Sequence, residues 1–380
     1  MDFSLGEELE AVRDLAREIF TDRATPERLR EVETSQARVD EALWADLAAA
    51  GLLGALLPER DGGAGLGMAG LCVLLEEQGR RVAPVPLWPA LTGALAVAAY
   101  GTGRQRADLL PSLADGGGRM TLALEEFGPA DPRAPRTTAV ADGPHWRLTG
   151  AKAVVPAPSG ARHVLVTATT QAGPGLFLVA QDAPGVSWDH AETTSHDLSA
   201  HLTLDGAAGD PVGTPGDGGV ARLVRDASVA LAAVQLGVAE GALRHAADHL
   251  RERHQFGRPL ATFQAVQHQL ADCYIDVEAM RVTLWQAVDA LTEPSGDLSG
   301  TPAGPASADR AALVAKWWAT EGGLNTVHRV QHLHGGIGVD TDYPVHRHFL
   351  WGKQISTTLG GAGADLERLG ALLTSAAVAS

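Results

Sequence analysis

RHQFGRPLATFQAVQHQLADC, the stretch from Arg253 to Cys273, is where the fold of this chain is decided. It separates two long helical patterns. Upstream, Val220 to Arg253 is Ala-rich, with apolar residues at helical spacing; downstream, Gln264 opens a second run that reaches Leu291. Between them Arg253 ends the first helix and Phe256-Gly257 turns the chain. A cationic side chain at such a corner, beside an aromatic and an amide, can hold an anionic ligand; a cation at a helix C-terminus equally compensates the helix dipole. Farther on, QHLHGGIGVDTDYPVHRHF (Gln331 to Phe349) places Gly335, Gly336 and Gly338 just after another helical run. Glycines there allow close backbone approach to a ligand, and they also serve as an ordinary helix C-cap and turn.

Working outward, the chain has three textures. Residues 1–115 read as helical: Leu5, Leu9, Val12, Leu15, Ala16, Ile19 and Phe20 recur at helical spacing, and further helices are expected over Val39–Ala50, Met68–Arg81 and Ala90–Ala98. Residues 116–214 switch to short apolar segments (MTLALE, HWRLTG, HVLVTATT, GLFLVAQD, GVSWDH, HLTLDGA) separated by Gly, Pro and Asp. Several alternate with period two, as strands of a small barrel or sandwich do. Residues 215–380 are helical again. A Gly-, Pro- and Ser-rich stretch, Glu293 to Arg310, reads as a loop, with helices expected over Ala311–Leu333 and Asp365–Ala376. The order is helix block, strand block, helix block, without the βαβ alternation of a dinucleotide-binding Rossmann fold.

Composition narrows the function classes. The 380 residues carry 30 Lys and Arg against 46 Asp and Glu, a formal charge of −16, with 45% apolar and 20% charged residues. This is a globular chain of two or three folding units. The acidic balance argues against general nucleic-acid binding, since phosphates would be repelled without a strong basic patch. No segment approaches the ~20 unbroken apolar residues of a membrane span. The first residues lack the basic start and apolar run of a secretory leader. With only Cys72 and Cys273, neither a disulfide framework nor a cysteine zinc site is supported. A reducing cytoplasm is the expected compartment. The glycines at Gly62–Gly67 do not fit GxGxxG, because Met68 takes the last required place, and no P-loop or GxSxG elbow occurs. His328, His332 and His334 cluster, with His346 and His348 beyond, but HExxH is absent and no metal site is expected.

Taken together, the corner and the glycine turn carry a resemblance. The chain resembles the acyl-CoA dehydrogenase family of flavoproteins, which has an R-x-x-F-G corner, a Gln opening the next helix and a Q-x-x-G-G-x-G loop. Here these read RHQFG, Gln264 and HLHGGIG. PERDGGAGLG followed by a helix ending LEEQGRR, and WRLTGAK in the strand block, are similar to the family as well. The resemblance implies an α+β fold: a helical N-terminal domain (1–115), a middle β-barrel domain (116–214) and a C-terminal four-helix bundle domain (215–380). It implies FAD as cofactor, an acyl-CoA thioester as substrate, a homologous subunit in a dimer or tetramer, and an electron-transferring flavoprotein as acceptor. In the family a carboxylate takes the α-proton while the β-hydrogen leaves as hydride to the flavin. FAD is held partly across a subunit interface, which by match falls to Arg253, Phe256 and Gln264, with Gln255 beside them. The glycine loop near the adenosine end matches Gly335 and Gly336, and the loop glutamine falls on His332.

The departures from the family are as informative as the matches. The Glu-Gly-Thr turn that carries the base in many members falls at Leu359-Gly360-Gly361. Base positions of other relatives fall at Ala227, beside Asp226, and at Val234. No catalytic residue is therefore assigned. The flavin-contacting Thr-Glu-Pro…Gly-Ser-Asp stretch reads Glu125 to Asp131, and the aromatic-Ile-Thr that follows Gly-x-Lys is replaced by Ala153-Val154-Val155-Pro156. Proline offers no N–H there. The chain thus resembles the base-lacking subunits of heteromeric acyl-CoA dehydrogenases. The alternatives are a self-sufficient dehydrogenase with a relocated base, a flavin-dependent oxygenase of the same fold, and a structural partner without FAD.

Overall fold

The computed structural model describes residues 5–143, 145–292 and 305–379. Six helices come first: α1 (Glu7–Arg23), α2 (Pro26–Thr34), α3 (Glu41–Ala49), α4 (Gly67–Arg81), α5 (Leu87–Tyr100) and α6 (Gly103–Ala114). Strands β1 (Arg119–Ala123), β2 (Thr138–Asp142), β3 (His145–Pro156), β4 (Ala161–Thr170), β5 (Gly173–Ala180), β6 (Val186–Glu192) and β7 (Leu198–Val212) follow. Then come α7 (Gly219–Glu252), a hairpin of β8 (His254–Gln255) and β9 (Arg258–Pro259), α8 (Gln264–Thr292), α9 (Pro305–His334), α10 (Val345–Thr357) and α11 (Gly361–Ala379). A helical N-terminal part, a central sheet and a helical C-terminal part follow one another, as the sequence pattern implies. Two compact units result: Met1–Pro26, Cys72–Ala83 and Ser228–Ser380 in one, Glu27–Leu71 and Pro84–Ala227 in the other.

In the second unit the sheet closes on itself. The order runs β4–β2–β3–β7–β5, and β5 pairs back onto β4, while β1 adds to β4 and β6 to β7. Ala123, Leu148, Val155, Val164, Val166, Phe177, Val179, Leu202 and Leu204 fill the interior, so the period-two pattern sends one face of each strand inward. The register of β3 on β7 shifts between Lys152 and Val155. Val154 sits at this bulge with φ +50°, a left-handed conformation costly for a β-branched residue. Inside the barrel the fully buried Lys152 ammonium donates to Glu126 Oε1 (2.9 Å) and Thr167 Oγ1 (3.0 Å). Glu126 also accepts from the N–H of Arg136 and from the N–H and hydroxyl of Thr137.

In the first unit α8 and α9 pack antiparallel. Arg329 on α9 pairs with Asp276 on α8 at 3.0 Å. The end of α4 lies backbone to backbone against α7. A Cβ at Gly79 would collide with the Val234 carbonyl, and one at Gly237 with the Glu76 carbonyl. Around this contact Arg80 pairs with Glu76, Glu77 and Glu240, while Arg281 from α8 reaches Glu76 and Glu240. By length and composition α7 could cross a membrane, but most of its apolar window is buried in the fold.

Two local expectations need correction. The expected loop Glu293–Arg310 lies outside the described residues as far as residue 304, and from Pro305 the chain is already helix α9. Good helix formers at Ala306, Ala308, Ala311 and Ala312 outweigh the turn-like composition. Helix α10 was not expected at all. Its buried face carries His346, Arg347 and His348 beside Val345, Trp351 and Ile355, so polar residues hide the apolar period.

Candidate functional site

The corner forms because α7 ends where the chain can turn tightly. The Arg253 N–H donates to the His249 carbonyl (2.8 Å), and its carbonyl accepts from the Leu260 N–H (2.8 Å). Between these bonds His254 and Gln255 pair with Pro259 and Arg258. Phe256 and Gly257 form the two-residue turn with φ +51° and +76°. Both central residues of such a turn need positive φ, which Gly257 supplies freely and Phe256 does not. Phe256 is 91% exposed, and its edge meets the Phe263 ring at 6.1 Å. The Arg258 guanidinium lies over the other side of the corner, 4.1 Å from the Phe263 ring centre. Arg253, Gln255 and Gln264 are exposed too, with Gln264 at the first turn of α8. The structure therefore gathers Arg253, Gln255, Phe256 and Gln264 at one exposed corner.

The glycine turn closes α9. Gly335 has φ +64°, and a Cβ at Gly335 or Gly336 would meet nothing within 4 Å. Backbone there is open to a ligand. Gln331, the neighbouring amide, turns inward and donates to the Gly338 carbonyl, leaving His332 exposed on the outer face. The other histidines do not gather round a metal: His328 packs edge-on against Phe349 (4.9 Å), and His346 Nδ1–H donates to the Tyr343 carbonyl (2.6 Å). Among the described residues, no three His, Cys, Asp or Glu side chains stand where they could share an ion.

The positions matched to a base carry none. Leu359 is 2% exposed with φ +61°; its carbonyl accepts from Arg368, and Arg368 and Lys316 flank buried Asp365. Ala227 and Val234 are buried. Asp226 is the carboxylate next to Ala227 in the chain. Burial raises its pKa against the pull of Arg225 (3.4 Å) and Arg222 (3.6 Å) on its own helix.

On the barrel edge, the backbone donors in the stretch matched to the family's flavin-contacting segment are already used. The Ala153 N–H bonds the Glu125 carbonyl (2.9 Å), and the Val154 N–H bonds His201 Nδ1 (3.2 Å). His201 is covered in turn by the Phe127 ring (4.8 Å), and Pro156 has no N–H. The residues present fit the nucleotide end of a dinucleotide reached at the corner and the glycine turn; they do not fit the ring end. The sequence missed His201 and the Glu126–Lys152 pair, whose partners come together only through barrel closure.

A helical–barrel–helical chain with a cationic hairpin corner and an open glycine turn defines a class of flavin-linked oxidoreductase fold. The chain belongs to the acyl-CoA dehydrogenase family: the family's N-terminal domain model matches residues 6–117 and its C-terminal domain model residues 217–367. Acyl-CoA dehydrogenase FadE27 of Mycobacterium tuberculosis is 38% identical over 97% of this chain and 98% of its own length. A chain of a Tcur3481–Tcur3483 steroid ACAD variant superposes with TM-score 0.92 at 62% identity, covering 99% of this chain and 100% of that one. A chain of the ChsE4–ChsE5 complex from M. tuberculosis gives 0.90 at 36% identity, over 98% and 99%. Members of this family are FAD-dependent oxidoreductases, and this chain is one of them.

Proposed function

We propose that this chain is one subunit of a heteromeric acyl-CoA dehydrogenase, working with a homologous chain that supplies the base and the flavin-ring pocket. The carrying observation is that Leu359, Ala227 and Val234 place buried hydrocarbon at every matched base position. In this reading the domains run 1–115, 116–214 and 215–380. Arg253 and Gln264 hold the partner-seated FAD's diphosphate half with charge and amide hydrogen bonds. Gln255 and Phe256 cover it, and Gly335 and Gly336 let backbone approach its adenosine end, with His332 at the rim. FAD, when bound, supplies the acceptor for the β-hydrogen of the thioester. This chain's residues contribute grip and orientation; the α-proton goes to the partner's carboxylate, and the electrons leave to an electron-transferring flavoprotein. The relatives that pair in complexes or act on steroids support a homologous partner, a dimer or tetramer, and a steroid-type acyl-CoA as substrate.

The test is co-expression with a homologous chain that carries the base carboxylate. The lone chain is expected to purify without bound flavin and to reduce no dye with acyl-CoA. The co-purified pair is expected to be yellow and to oxidise a steroid-type CoA thioester faster than a straight-chain one. A lone chain that is yellow and active sinks the proposal. The raised Asp226 carboxyl favours a second reading, a self-sufficient enzyme with Asp226 as base. Under the second reading the lone chain reduces dye with acyl-CoA and Asp226→Asn abolishes that activity; under the first the lone chain is inactive and Asp226→Asn leaves the turnover of the co-purified pair unchanged.

A further inference from the structure

The two segments that this reading assigns to the cofactor come from different helices, and one pair of side chains joins them. His249 lies one helical turn before Arg253, whose N–H bonds the His249 carbonyl at 2.8 Å. His334 is the last residue of α9, directly before Gly335. Their imidazoles stack with centres 4.7 Å apart and planes 22° from parallel. Tyr343 sets its ring against both, 5.4 Å from His334 and 6.2 Å from His249. The His334 Nδ1–H donates to the Val330 carbonyl at 2.8 Å, which fixes that ring on its own helix.

The stack is built for neutral rings. Burial lowers the pKa of His249, and the Arg253 charge lowers it further against the opposing pull of Glu252. Burial also lowers His334, with His249 adding to the effect against the carbonyls of Val330 and His245. Two imidazoliums this close would repel. A neutral stack instead ties the end of α7 to the end of α9 through flat faces that tolerate little slippage.

We propose that His249 and His334 are positioning residues that set the spacing between Arg253 and the Gly335–Gly336 turn, so that both grip one cofactor. This rests on the heteromeric reading above. Ligand-holding groups gain their affinity from placement within a fraction of an ångström, which supporting side chains must enforce.

The experiment measures FAD affinity of the co-purified pair by flavin fluorescence, with thermal midpoints recorded for every variant. Arg253→Ala is the control for the underlying reading. His249→Ala is expected to weaken FAD binding on the order of tenfold. His249→Phe, which keeps a flat ring over His334, is expected to restore binding to within about twofold. In the double variant with Arg253→Ala, the two losses are expected to be less than additive, because a misplaced arginine has less to lose. Should His249→Ala bind as the wild type while Arg253→Ala weakens binding, the positioning role is wrong and the heteromeric reading stands. Weak binding in both His249→Ala and His249→Phe, or strictly additive losses, also overturns the role. Wild-type affinity in Arg253→Ala removes the reading itself and the positioning role with it.

Discussion

Single residues set two pH- and charge-dependent properties. Glu126 would be raised by burial, but the Lys152 ammonium and the N–H groups of Thr137 and Arg136 hold its carboxyl at about 2. Lys152 is pushed down by burial to about 8, against the upward pull of Glu126. Such a pair is worth little against a hydrocarbon substitute, yet breaking one side of it strands a charge. Lys152→Met is therefore expected to cost about 3 kcal/mol in urea unfolding, since Glu126 keeps its backbone donors but loses its counter-charge. A fully exposed control such as Arg104→Met is expected to change little. His348 supplies the second property. Burial, reinforced by His245 at 5.1 Å, drives its pKa to about 3 while its Nε2–H donates to the Arg80 carbonyl (3.2 Å). Unfolded, that imidazole takes a proton near 6.5. Above that pH both states are neutral and the ring contributes nothing to the pH dependence. Below it the unfolded chain binds a proton that the native ring refuses, so stability falls by about 1.4 kcal/mol per pH unit until the pH nears 3. His348→Gln, which keeps a donor and removes the titration, is expected to flatten the slope of unfolding free energy between pH 6 and pH 4 by one proton; an unchanged slope refutes the assignment.

At the scale of elements, the close pass of α4 over α7 depends on having no Cβ at either Gly79 or Gly237. Gly237→Ala drives a methyl into the Glu76 carbonyl and must prise the helices apart. It also disturbs the Arg80–Glu240 and Arg281–Glu76 pairs that flank the contact. Gain in helix propensity from glycine to alanine is about 1 kcal/mol and would by itself stabilise. The expected net result is nevertheless a loss of about 2 kcal/mol in chemical denaturation, because overpacking at backbone contact exceeds it. What was legible in the sequence follows the range of the forces. The hairpin at Arg253–Gln264 and the turn at Gly335 were readable because adjacent residues dictate them. The strands were readable from their alternation, which does not tell a barrel from a sandwich; closure depends on β5 pairing back onto β4. Helix α10 was not, since its buried face is polar through contacts with other helices. Nor was the His249–His334 stack, whose members lie on different helices and look like surface histidines in the chain. That leucine stands at the matched position 359 could be read from the chain, but not the way Arg368 bonds the Leu359 carbonyl and pairs with Asp365.

Over the whole molecule, the heteromeric reading predicts that the departures from the family pattern act together, so that restoring one residue does not make the lone chain active. Leu359→Glu returns a carboxylate to the matched base position. The new side chain would replace a buried leucine close to Asp365, whose own carboxyl is already raised by burial despite Lys316 and Arg368. A second acid there competes with Asp365 for Arg368 and Lys316, and burial is expected to raise its pKa above the ordinary range. The barrel edge stays closed as well: His201 caps Val154, Glu125 takes the Ala153 N–H, and Pro156 has none to offer. The lone variant is therefore expected to lose about 3 kcal/mol of stability from burying a second carboxyl beside Asp365 in place of leucine. It should bind no flavin and show no acyl-CoA-dependent dye reduction. In the co-purified pair, FAD content and turnover should match the wild type wherever the variant remains folded, because the corner and glycine turn are untouched. Dye reduction by the lone Leu359→Glu chain would overturn the heteromeric reading in this respect, showing that one side chain suffices for activity and that the barrel edge opens to the flavin ring.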